Sequence, residues 1–177
     1  NSSSSFSRRR GGAGTVYLKD KTGTVTHPLR IKGHGSGDAY AKTPLDNLAS
    51  ESHLIVEDAV VELLGVDTLN SIIESRGSDI HVNNALTMDA VVTLANSNLY
   101  LAGDATLNSP LSTQGSAIHI AGNAAVHTEL NLQNSSLSVS GDLTLTEALS
   151  GNGSSNSTVE VSGQLSVPNN ELVVDGI

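Results

Sequence analysis

Asp79-Ile80-His81-Val82-Asn83-Asn84-Ala85-Leu86-Thr87-Met88 returns nineteen residues later as Asn98-Leu99-Tyr100-Leu101-Ala102-Gly103-Asp104-Ala105-Thr106-Leu107. Nineteen further on it is Ala117-Ile118-His119-Ile120-Ala121-Gly122-Asn123-Ala124-Ala125-Val126. Leu137-Ser138-Val139 continues the series, and Thr158-Val159-Glu160-Val161 follows after twenty-two, because 151–156 carries three extra residues. Each copy alternates apolar and polar residues, the period of a half-buried strand. A short fixed period of this kind marks a stacked architecture.

Working outward, each copy holds two more strands. The second has inward pairs Leu86/Met88, Ala105/Leu107, Ala124/Val126, Leu143/Leu145 and Leu165/Val167. The third has Val92/Leu94, Leu111/Thr113, Leu130/Leu132, Leu149/Gly151 and, after a slip, Leu172/Val174. Corners separate them. Asn84, Gly103, Gly122, Gly141 and Gly163 form one column, and Gly77, Asn96, Gly115, Asn134 and Asn156 another. Glycine and asparagine tolerate a left-handed backbone, so positive φ is expected at Gly103, Gly122 and Gly141. An unbroken serine column, Ser78, Ser97, Ser116, Ser135 and Ser157, follows the second corner, where hydroxyls can cap backbone groups. Three strands and their corners per nineteen residues make one coil of an all-β, parallel β-helix solenoid. Right-handedness is expected from the general rule for parallel crossovers.

At 177 residues the chain suits one domain. Aromatics are 2% and Trp is absent, so small aliphatic residues must build a narrow core. With no Cys there is neither disulfide nor thiolate chemistry. No apolar run reaches the length of a membrane span, so membrane insertion of this segment is not expected. The chain begins at Asn1 without a signal peptide, and reads as part of something longer. All nine Lys and Arg lie at or before Arg76, while 77–177 holds nine acids, so the whole net charge of −9 belongs to the repeat. Such a surface repels nucleic-acid phosphates and acidic polysaccharides.

Taken in order, 1–10 is a serine-rich flexible lead-in ending in Arg8-Arg9-Arg10. The β-helix spans 11–177, opening with Gly11-Gly12-Ala13-Gly14-Thr15-Val16-Tyr17-Leu18-Lys19. These glycines lack the Gly-Lys-Ser/Thr ending of a phosphate loop. Pro28 to Lys32 is a second strand. Residues 33–52 read as a surface loop with a turn of helix near Leu45 to Ala49. Leu54 to Glu74 forms an irregular first rung longer than nineteen, and the regular rungs occupy 79–174. The final apolar coil is expected to be covered by further rungs or by a neighbouring subunit.

The glycine opening, followed by strand-rich coils over about 54–177, resembles β-helical segments of large secreted bacterial surface proteins of the adhesin and autotransporter-passenger type. The resemblance implies a secreted or surface-displayed, non-enzymatic rod used for adhesion, spacing or self-assembly. Its expected partners are a cell-surface receptor, a glycan or neighbouring copies of the same protein. It carries over no catalytic residue.

The candidate chemistry is sparse. His81 and His119 share an outward column but stand two rungs apart, roughly 9.6 Å, too far for one metal. Exposed, unpaired histidines are the plainer expectation. Asp104 and Asp142 flank Asn123 in a corner column where a calcium ion could bridge oxygens, although no cofactor is required. The outward Thr87, Thr106, Ala125 and Thr144 suit an exposed strand. Because Tyr100 is the repeat's single tyrosine, no stacking platform for a sugar ring is expected there. A binding site, if present, is placed at Arg30, Lys32, His34 and Asp38, the basic, histidine-bearing surface. The alternative function is a polysaccharide-active β-helix enzyme or carbohydrate-binding module, which would need paired acids in a cleft formed by 33–52.

Overall fold

The computed structural model describes residues 14–16, 28–33, 42–46, 48, 53–147, 149–151, 156–167 and 174–175. It is a parallel β-solenoid, with nine-, seven- and six-stranded sheets and no helix among the described residues. One coil shows the pattern. Val92–Ala95 lies in the nine-stranded sheet, Asn98–Leu101 in the seven-stranded sheet and Ala105–Leu107 in the six-stranded sheet. Each strand pairs in register with its equivalents nineteen residues away, such as Leu99 with Ile80 and Ile118.

The period begins earlier than the sequence suggested. Leu54 pairs with Ile73, Val61 with Ile80 and Thr68 with Thr87, so the rung from Leu54 already has nineteen residues. The stretch 68–74 is two strands, Thr68–Leu69 and the start of Ile73–Arg76, turned about Ser71. Nor is 33–52 all loop: Thr43–Asp46 is a strand paired with Val61 to Leu64, where a helical turn was expected. Its Pro44 has no N–H to give, which suits the outermost strand of that sheet. At the same end of the solenoid, Gly14–Val16 is the outermost strand of the nine-stranded sheet and pairs antiparallel with Leu29–Lys32. The last copy also shifts, since Val174 rather than Leu172 pairs with Leu149.

The core is a set of aliphatic files along the axis. Leu101, Ile120 and Val139 are 2%, 3% and 1% exposed, as the alternation predicts. The core weakens at the last rung: in the six-stranded sheet Leu165 aligns with the buried Leu143 but is 45% exposed, and no described strand lies beyond it.

The serine column is buried throughout and forms a relay. Ser97 Oγ donates to the Ala95 carbonyl at 2.9 Å and accepts the Ser78 N–H at 3.2 Å. Ser116 and Ser135 repeat the motif, donating to Gln114 and Gln133 and accepting from Ser97 and Ser116. Ser157 follows the insertion and donates instead to the Leu132 carbonyl. Each hydroxyl thereby satisfies two backbone groups at a corner that buries them.

The two corner columns divide their work differently from the sequence expectation. Positive φ belongs to Asp58, Gly77, Asn96, Gly115 and Asn134, at 49°, 58°, 49°, 59° and 47°, and in the other column to Gly65, one rung before Asn84, at 64°. Gly103, Gly122 and Gly141 are not in the left-handed region. They are glycine because the preceding rung leaves no room. A Cβ on Gly122 would stand 2.7 Å from Asp104 N and 2.8 Å from Gly103 C, and one on Gly103 2.6 Å from Ala85 N.

Three outcomes follow for chemical denaturation. Leu101→Ala should cost about 2–5 kcal/mol. Gly122→Ala and Gly122→Asn should both destabilise by about 1–3 kcal/mol, because crowding and not φ is the constraint. Asn96→Gly should cost less than Asn96→Ala, because φ is the constraint there.

Candidate functional site

Of the four residues proposed from sequence as a binding surface, two are described. Arg30 and Lys32 point outward from Leu29–Lys32, and Arg30 Nη1 lies 3.4 Å from Glu57 Oε2. That pair is exposed and therefore weak. His34 and Asp38 lie outside the described residues.

The acidic corner column serves the backbone. Asp104 Oδ1 accepts the Asn123 N–H at 2.7 Å, Asn123 Oδ1 accepts the Asp142 N–H at 2.9 Å, and Asp142 Oδ1 accepts the Gln164 N–H at 2.7 Å. Each side chain reaches over the glycine of the next rung, where a Cβ would collide with it. The carboxylates are thus acceptors in a side-chain ladder that holds rung to rung. No cluster of three or more His, Asp or Glu able to hold a metal occurs among the described residues.

A different column gathers the unexpected geometry. In the seven-stranded sheet the outward positions run Glu62, His81, Tyr100, His119, Ser138, Glu160. The register forces the three rings onto one another. His81 and Tyr100 have centroids 4.7 Å apart and planes 13° from parallel; Tyr100 and His119 are at 5.1 Å and 7°. These histidines are not unpaired: each packs face to face on Tyr100 in a column of rings. Two of its three rings are imidazoles, so a search for Trp, Tyr and Phe overlooks it. The signal was the shared column of His81, Tyr100 and His119, read only for metal binding.

Beside the stack lies a recess of about 290 Å³ extending over four rungs. Ala102 and Ala121 form the wall facing the rings, while Asn83, Ser138 and Ser140 add polar groups. Asn83 Nδ2 donates to Glu62 Oε1 at 2.6 Å, fixing that end. No protein family, characterised protein or solved structure matches the chain.

Tyr100→Ala removes two stacked contacts, each worth ~0.5–1.5 kcal/mol, and should lower unfolding free energy by about 1–3 kcal/mol, with Tyr100→Phe retaining most of it. Asn123→Asp would keep an acceptor for the Asp142 N–H but stack three carboxylates on successive rungs. The variant should unfold at lower denaturant concentration at neutral pH and recover part of the loss in high salt.

Proposed function

We propose that this chain is a non-enzymatic β-solenoid module of a secreted or surface-displayed bacterial protein, acting as a rod for display or adhesion. One observation carries the reading: the polar columns that looked most like chemistry are engaged in joining rung to rung. Ser97, Ser116 and Ser135 bridge backbone groups of neighbouring coils, and Asp104 and Asp142 accept backbone N–H groups. Side chains committed to lattice bonds of this kind serve length and stiffness rather than turnover. The secreted bacterial setting rests on the resemblance of the glycine opening and the coils.

Incubating the protein with neutral and uronate-containing polysaccharides and assaying for new reducing ends and unsaturated products tests the non-enzymatic part. Neither product should accumulate. Sustained turnover that is lost on Asp104→Asn or Asp142→Asn would overturn the reading. Display predicts surface labelling of intact cells that carry the parent protein, and labelling only after lysis would overturn that part.

A further inference from the structure

We propose that the recess beside the His81–Tyr100–His119 stack binds a neutral oligosaccharide lying parallel to the solenoid axis. This rests on the adhesive half of the reading above and names the ligand.

The shape of the recess selects an elongated ligand. It follows the column over four rungs, and three spacings of ~4.8 Å give about 14 Å of track. A single small ring would cover only part of it. The ligand must also be amphipathic. One wall is the outward edge of the three-ring stack, whose faces are turned to one another along the axis and leave the upper face of His119 for the C–H face of a sugar, and the other is the small Ala102 and Ala121, which leaves the approach open. Asn83, Ser138 and Ser140 stand at the margins, where hydroxyl groups of a sugar can hydrogen-bond.

Charge decides which sugars. No Lys or Arg occurs from residue 77 onward, so nothing in the repeat can pair with a uronate or sulfate. The net charge of −9 adds long-range repulsion against both. No carboxylate lines the recess, so a cationic ligand finds no direct partner either. Glu62, at the lower end of the column, is already held by Asn83 and lies 3.9 Å from Lys42 Nζ. A neutral chain meets neither penalty.

The end of the stack strengthens the assignment. Above His119 the column places Ser138, a small residue that gives the imidazole no ring partner on the next rung. His119 is exposed and lines the recess together with Ser138. A sugar ring over Ser138 would continue the stack by one spacing.

The test is binding of the intact chain to an array of neutral, uronate-containing and sulfated oligosaccharides, followed by calorimetry on the best hit. Neutral chains should bind, and binding should strengthen with chain length until the track is filled. Tyr100→Ala should weaken binding about tenfold or more. Because that variant can also loosen the fold, Ala121→Arg provides the second arm. It blocks the recess from an exposed position on the opposite wall and leaves the stack intact, and it should weaken binding at least as much. Thr144→Arg, on a different sheet, should not. Absence of neutral-glycan binding, binding confined to acidic glycans, or binding that Ala121→Arg leaves unchanged overturns the proposal. Release of cleaved sugar would instead overturn the non-enzymatic reading while leaving the site in place.

Discussion

Every column of this coil answers to the spacing of parallel strands, roughly 4.8 Å. At that distance a residue's nearest neighbours are its own equivalents one rung away, and any side chain must be compatible with a copy of itself or with a chosen substitute. Aliphatic residues satisfy this by packing in files, as Leu101, Ile120 and Val139 do. Serine satisfies it by reaching back to its own strand for an acceptor and offering its oxygen to the rung below. Glycine appears where the neighbour's side chain already fills the space, as Asp104 does over Gly122. The nineteen-residue period thus returns each of these solutions to its own column.

The same spacing explains what could be read in the sequence. The core and the serine relay were legible because both repeat a single residue class at a fixed phase. The two glycine-bearing corners were harder. A column in which glycine alternates with Asn or Asp, such as Asp58, Gly77, Asn96, Gly115 and Asn134, is one that needs positive φ, since those residues share that tolerance. A column that is glycine from Gly103 through Gly122 and Gly141 to Gly163 needs the absence of Cβ, and asparagine cannot substitute for that. Asn84 blurred the distinction. Residues 54–76 and Thr43–Asp46 were misjudged for a different reason. Val60-Val61-Glu62-Leu63-Leu64 lacks the alternation of later copies, and Ala59 replaces serine in the relay, so the first rung carries the period without the usual marks.

The ring stack shows how placement changes chemistry. His81, Tyr100 and His119 were weighed one at a time, as ligands or as exposed polar residues, and their shared column was used only to rule out a metal. In register the column becomes a stack of three rings that cover one another's faces and turn their edges outward, each pair near parallel. The rings also fit because the alternation of imidazole and phenol avoids placing two potentially charged imidazoles on adjacent rungs.

That avoidance extends to the carboxylates. Stacking identical acids at rung spacing would set like charges about 4.8 Å apart, a repulsion of about 1 kcal/mol per pair even at the dielectric of water. In the paired strands and corners described, an acid's column neighbour is something else. Asp104 and Asp142 are separated by Asn123, Asp79 is followed by Asn98, Asp89 by Asn108, and Glu57 lies between Lys32 and Arg76. The amide keeps the acceptor that the ladder needs and omits the charge. A chain can therefore hold a net charge of −9 in a solenoid, provided that each acid is followed along its column by a residue other than an acid. The acid–amide alternation accordingly keeps the like charges of Asp104 and Asp142 two rungs apart while the backbone ladder runs on unbroken.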